Sequence, residues 1–457
     1  MSDASRIAEL EARLDDFDAD VRANALSELA QFVESGHLKL APAGSSGVVN
    51  MHCHTFFSFN AYGYSPAGLA WLARKRGFLA AGIVDFDVLD GVEEFLSACE
   101  MLGVRGAAGM ETRVFIPEFA SREMNSPGEP GISYHMGIGF TSSGVPAQVA
   151  EVAADLRRRA ADRNRSIVGR VNNHLAPATI DYDLDVLPLA PGGTPTERHI
   201  VAAYVRKAEL ILDDVAQFWA DRLGLSRDQV SILFEDPAAL QNAVRAKLMK
   251  RGGVGYVQPG ADTFPTVDEV NKLIVACGAL PCATWLDGLS EGEQAMDELL
   301  QLLIDKGVVA LNIVPDRNWN ISDPAIREAK VRNLYDVVAL ATDLHLPLNV
   351  GTEMNSFGQK LVDDFDSLEL RPVREAFIDG SYFIYGHTVL ERAAGLGYQS
   401  AWAARHLPSR PERNAFYVSV GRGVPPDRLG LDQLSRVDDG WEPGRVLSTL
   451  CQARAGG

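Results

Sequence analysis

Val48-Val49-Asn50-Met51-His52-Cys53-His54-Thr55 reads as a short strand ending in two histidines at alternate positions. In an extended chain residues i and i+2 point to the same side, so His52 and His54 present their imidazoles together. Two imidazoles at the C-terminal end of a strand make half of a metal site that keeps positions open. Three further strand ends carry polar groups in order. Gly82-Ile83-Val84-Asp85-Phe86-Asp87 brings two carboxylates, Gly109-Met110-Glu111-Thr112-Arg113 brings one, and Ser133-Tyr134-His135-Met136-Gly137 brings a histidine. Helical segments separate the first of these strands: Pro66 to Arg76, with Ser65 as its N-cap, and Gly91 to Leu102. Strands alternating with helices, with polar groups gathered at successive strand ends, predict an α/β fold with a parallel β/α barrel.

Outward from this stretch the chain divides by pattern. Residues 1–46 read as two amphipathic helices, marked by Ile7, Leu10 and Leu14 and then by Val21, Ala25, Leu29 and Val33, followed by a Gly- and Ser-rich linker. They form a helical appendage that packs on the body or makes a homo-oligomer contact. Residues 48–145 are the first part of the barrel. Residues 146–252 show helical periodicity without strand alternation and are read as a helical insertion carrying the basic run Arg157-Arg158-Arg159. Alternation resumes over 253–370, with a helix from Val267 opened by Thr266 and Glu269 at capping-box spacing. Residues 371–457 are read as a mixed, mostly helical extension.

Composition narrows the partners. The 457 residues carry a formal net charge of -18, which argues against nucleic acid and against an anionic membrane surface. No uncharged apolar run of membrane-spanning length and no signal-peptide pattern is present. Five cysteines at scattered spacings give neither a disulfide framework nor a paired zinc motif, so a reducing cytoplasm is the expected compartment. A small anionic substrate is compatible with the charge if cations are concentrated locally. Arg113, Arg170, Arg198 and Lys360 are candidates to hold it, together with His174 in Asn172-Asn173-His174. Trp285 with Asp287, Asn312, and Trp319 with Asn318 suit a sugar ring, which has apolar faces and many hydroxyls.

The ordered motifs add a resemblance. His-x-His-Thr, a strand ending Asp-x-Asp-x-x-x-Gly, Gly-x-Glu, and a strand histidine shortly before glycine resemble the PHP (polymerase and histidinol phosphatase) family of metal-dependent hydrolases. Thr196-Glu197-Arg198-His199-Ile200-Val201 is similar to that family's Thr-Arg-Pro-His-Ile-Ala, and the resemblance spans roughly residues 48–358. It implies an irregular parallel barrel with an inserted subdomain, two or three divalent metals, and metal-activated water attacking a phosphate ester. The implied ligands are His52, His54, Glu111, His135 and Glu353. His199, His387 and Asp85 are candidate acid–base groups, and Asn355 lines the substrate.

The departures are as specific as the matches. Phe86 stands where the family's second motif has histidine. Thr284 stands where a late strand has Ala-His-Pro, and Glu353-Met354-Asn355 replaces Asp-x-His. The remaining set suits one or two ions of Zn, Mn or Fe. Three functions stay open. The first is a metal-dependent hydrolase, foremost a phosphoesterase of a small, sugar-derived anion. The second is a one-metal lyase, isomerase or glycoside-cleaving enzyme acting on a sugar or keto acid. The third is a non-catalytic protein that kept only the barrel.

Overall fold

The computed structural model describes residues 3–455. Seven strands form one sheet in chain order: β1 (Val49–Cys53), β2 (Ala80–Phe86), β3 (Arg105–Phe115), β4 (Ile132–Phe140), β5 (Leu280–Trp285), β6 (Ala310–Ile313) and β7 (Leu348–Val350). Past the end of β7, Glu353 pairs with Cys53, so the sheet curls into a nearly closed barrel. His54 N donates to Glu353 O at 2.7 Å, and Glu353 N donates to His52 O at 2.8 Å.

The barrel is not parallel throughout. β1–β3 and β5–β7 run parallel, but β4 is antiparallel to both β3 and β5. The expected parallel order fails here because no crossover helix follows β3. A parallel return is usually made through such a helix, and the loop from Ile116 to Gly131 holds only one short 3-10 turn.

Two local features aim β1 at the barrel interior. Between Asn50 and Cys53 the register with β2 slips by one residue, a bulge that re-aims the side chains beyond it. Gly351 lets the β7 loop press against this segment, where a Cβ would lie 2.5 Å from His52 N.

Helices Pro66–Lys75, Val92–Leu102, Val267–Ala276, Met296–Asp305 and Pro324–Asp343 flank the sheet. Ser65 caps the first of them, and Thr266 with Glu269 forms a complete capping box on the third. The N-terminal helices Asp3–Arg13 and Ala19–Glu34 share the barrel's hydrophobic core through Leu10, Leu14, Leu26 and Leu29. Buried Arg22 pairs with Glu94 at 2.5 Å, and Trp71 Nε1 bonds Glu11 at 2.8 Å. The segment read as a linker is tied down as well, with Ser46 N on Gly77 O at 3.0 Å.

Residues 374–455 are helical where they are regular, and they belong to the same core. Helix Arg374–Ala394 closes the barrel end opposite His52 and His54. It crosses the start of β7 so tightly that a Cβ on Gly380 would overlap Leu348 O. The insertion has its own hydrophobic cluster, built on Tyr204, Trp219, Leu240 and Val244. The first turns of helix Ala150–Leu175 belong instead to the barrel core through Leu156. No helix among the described residues is long and apolar enough to cross a membrane. Cys53, Cys99, Cys277 and Cys282 are free thiols.

Candidate metal centre

Side chains from β1, β3, β6 and β7 meet inside the barrel. His52 Nε2 lies 3.8 Å from Glu111 Oε2, and His54 Nε2 lies 3.3 Å from the same oxygen. All three residues are buried. Among the described residues this is the one group of three His, Cys, Asp or Glu side chains whose ligand atoms fall within 4.8 Å of one another.

The outer hydrogen bonds fix which nitrogen carries each proton. Asp85 accepts from Thr55 N at 2.7 Å, Thr55 Oγ1 at 2.6 Å and Ser58 Oγ at 2.6 Å. Ser58 therefore spends its only hydrogen on Asp85 and must accept from His54 Nδ1, 3.2 Å away. Asn312 Oδ1 accepts from Asn349 Nδ2 at 2.9 Å, so it also accepts from His52 Nδ1 at 3.1 Å. In their neutral form both imidazoles thus carry hydrogen on Nδ1 and turn a bare Nε2 lone pair toward the Glu111 carboxylate.

That arrangement fits a divalent cation. Three acceptor atoms face one another, and His52 Nε2, His54 Nε2 and Glu111 Oε2 are all buried without a hydrogen-bond partner in the protein. Only a positive charge between them offsets the repulsion and the lost solvation. Ligands bound at about 2.1 Å to one ion stand roughly 3.4 Å apart, close to the separations found. Imidazoles steadied through the second nitrogen are the usual form of metal-ligating histidine. Without an ion, the same electrostatics favour a proton on an imidazole as the positive charge between these groups. Burial opposes ionisation of Glu111, yet the two histidines hold its carboxyl down at about 2. Burial also opposes a proton on His52, but Glu111, Glu353 and Asn312 together raise it above the ordinary imidazole range.

Glu353 stands at the rim rather than within the triad. Its Oε2 takes Arg317 Nη2 at 2.5 Å and Gln359 Nε2 at 3.0 Å. Burial pushes its carboxyl up, but Arg317 and His52 outweigh that and leave it below the ordinary range. Glu353 and Met354 both adopt left-handed backbone, with φ of 62° and 56°, unusual for residues with a side chain. Phe86, in place of a family histidine, stacks on His54 at 4.5 Å and forms an apolar wall.

Several expected site residues lie elsewhere. His135 is on the opposite face of β4 from Tyr134 and Met136, because strand side chains alternate. Its Nε2 meets Asn271 on an outer helix at 2.6 Å, and burial lowers its pKa to about 4. Asp85, expected as an acid–base group, likewise faces away from the triad and reaches His54 only through Ser58. His387 is in the middle of helix Arg374–Ala394, not at a helix start, and sits at the closed end of the barrel. Its Nε2 meets Gly139 O at 3.2 Å, and its Nδ1 accepts from Tyr398 N at 3.0 Å. His199 caps its own helix, Nδ1 accepting from Thr196 N at 3.0 Å. Trp285 is buried on the face of β5 opposite Thr284. Arg170 is spent on Gly255 O and Ser166 Oγ. His174 lies in the last turn of the long insertion helix Ala150–Leu175.

The remaining candidates gather near the rim. Arg113 follows Glu111 on the same face of β3 and pairs with Glu129 at 3.0 Å. Arg198 joins the insertion to the β7 loop through Ser356 Oγ at 3.0 Å. Half-buried Asn355 is on that loop, and Lys360 lies over the Trp319 ring at 4.7 Å. Sequence reasoning passed over Arg317, Ser58 and Asn349, and it read Asn312 as a sugar contact. Arg317, Asn312 and Asn349 gain meaning only from partners distant in the chain, and Ser58 only once Asp85 takes its hydrogen. Thr284 Oγ1 and Asn312 Nδ2, neighbours across β5 and β6, are further buried polar atoms without partners.

No protein-family model matches this chain, and neither does any curated protein. Solved structures similar to it include an amidohydrolase from Chromobacterium violaceum with bound sulfate and no metal. That match has 15% identity, covers 72% of this chain and 95% of that chain, and has a TM-score of 0.48. Another is a candidate metal-dependent phosphoesterase from Bifidobacterium adolescentis, with 19% identity, 72% and 96% coverage, and a TM-score of 0.44.

Proposed function

We propose that this chain is a metal-dependent hydrolase of a small anionic substrate, with a phosphate ester as the first class to test. The observation that carries the reading is the convergence of His52 Nε2, His54 Nε2 and Glu111 Oε2, three partnerless acceptors whose orientations are fixed from behind. These three residues would hold one divalent ion, which when bound supplies a Lewis acid for water and for a substrate oxygen.

The chain's own groups supply the rest. Ser58 with Asp85, and Asn312 with Asn349, keep both imidazoles from turning. Asn312 Nδ2 donates to a substrate oxygen, and Thr284 Oγ1 offers a second hydrogen bond beside it. Arg317, half-exposed on the rim, draws the anion in. Both contacts to Glu353 fall on Oε2, leaving Oε1 to accept a proton from attacking water. Phe86 keeps one side of the centre dry.

Elemental analysis of the purified chain, paired with turnover of p-nitrophenyl phosphate in Zn, Mn or Fe, tests the reading. One ion per chain and metal-dependent turnover are expected. One ion without turnover would remove the phosphoesterase assignment, and no ion under any condition would remove the whole reading.

A further inference from the structure

We propose that Arg113 and Arg163 form a second anion site, a clamp for a phosphate or carboxylate group at the non-reacting end of the substrate. Its role as a substrate subsite rests on the hydrolase reading above; its existence as an anion site does not.

The site begins with an imbalance. Arg163, on helix Ala150–Leu175, and Arg113, on β3, both place their guanidinium over the Phe264 ring, at 5.2 and 4.2 Å. Arg113 has an anionic partner in Glu129. Half-buried Arg163 makes no hydrogen bond or ion pair among the described residues. Burial and the charge of Arg113 both lower its pKa, so the fold holds two cations together at a cost.

None of the carboxylates around Arg163 forms an ion pair with it, and two are committed to other cations. Glu197 takes Lys250 at 2.8 Å and Arg245 at 3.1 Å. Glu129 takes Arg113 and, at 2.6 Å, Ser126 Oγ. Asp87 accepts Thr112 Oγ1 on Oδ1 at 2.6 Å; burial raises its pKa, and the charges of Arg163 and Arg113 pull it back without a direct ion pair. The unused donors of Arg163 are a planar fork, its guanidinium and that of Arg113 both lie over one aromatic ring and their charges interact, and planar guanidinium forks suit a planar or tetrahedral oxyanion.

Position gives the clamp its use. Arg113 is two residues beyond Glu111 on the same face of one strand, which sets the two side chains about 7 Å apart along β3. An anion held there stands several bonds from a group reacting at the triad. The geometry therefore favours a substrate with two separated functional groups over a simple monofunctional ester.

The test is calorimetric titration of the full chain with inorganic phosphate and, separately, with acetate. Each runs on protein as purified and after chelator dialysis, so that an anion held by metal is told apart. Saturable binding is expected in both preparations, with the tighter anion naming the group. Arg163→Gln should weaken it at least tenfold while metal content stays the same. Arg165→Gln, which alters an exposed arginine paired with Asp183, should leave it unchanged. Equal binding by wild type and Arg163→Gln, or none by wild type, overturns the clamp whatever the metal analysis gives. Binding lost with Arg163 in a chain that takes up no metal would keep the clamp and remove only the hydrolase reading. In an active enzyme, Arg163→Gln should raise KM with kcat retained.

Discussion

The two ends of the barrel each bury histidine completely, and they use it in opposite ways. At the closed end, His387 has a backbone partner on each nitrogen, so it ties helix Arg374–Ala394 to β4 and to the Tyr398 loop. At the open end, His52 and His54 are equally inaccessible, yet each has one nitrogen fixed and the other unmatched. An unpaired buried polar atom costs about 1–3 kcal/mol. Burial therefore does not separate a structural histidine from a candidate ligand, and neither does an unmatched nitrogen alone, since His174 Nε2 has one too; unmatched nitrogens converging on a carboxylate do.

The largest expected effect attacks that contrast directly. His54→Ala should reduce metal affinity more than 100-fold, because it deletes a ligand outright, whereas loss of an outer partner typically costs 10–100-fold. His387→Ala should keep its metal and instead lower thermal stability, since it leaves Gly139 O and Tyr398 N without partners. Elemental analysis beside a melting curve reads both. Full metal in His54→Ala, or metal lost from folded His387→Ala, would break the comparison.

A smaller effect sharpens it. Ser58→Ala removes the acceptor that holds His54 Nδ1–H, while Asp85 keeps its two bonds from Thr55. Metal affinity should fall roughly 10–100-fold with little loss of stability. Unchanged affinity in a competition titration would mean that the ring needs no orienting partner.

The same contrast explains what the sequence could and could not disclose. His52, His54 and Glu111 were legible because alternation within a strand and order along the chain are local facts. His135 was misplaced because β4 is buried on both faces, so hydrophobicity did not say which side Tyr134 and Met136 occupied. The reversal of β4 was hidden in a loop whose length admits either direction. Asn312 and Asn349 were unreadable, since their roles arise from contacts between strands 37 to 260 residues apart in the chain, and Ser58, four residues from His54, gains its role only once Asp85, 27 residues on, takes its hydrogen. His387 looked like a pocket residue because its partners, Gly139 and Tyr398, are backbone groups that no side-chain pattern reveals.

Acid should expose the closed end by its slope. Burial, opposed only by the bond to Gly139, holds the His387 pKa down at about 4, against 6.5 for a free imidazole. Between these values the unfolded chain takes up a proton that the native chain refuses. Stability from this group is complete above pH 6.5 and is lost as pH falls toward 4, at up to about 1.4 kcal/mol per pH unit, roughly 3 kcal/mol in all. His387→Gln removes that proton uptake. Urea unfolding at pH 7, 5.5 and 4.5 should therefore show the gap between wild type and variant narrowing as pH drops. The variant will still lose stability in acid, because His135 and His199 are also held at about 4 by burial. A gap that stays constant from pH 7 to 4.5 would mean that His387 is protonated in the folded chain. Its Nδ1 could not then accept from Tyr398 N, and the contrast between a fully partnered histidine and an unmatched one would fail at its structural end.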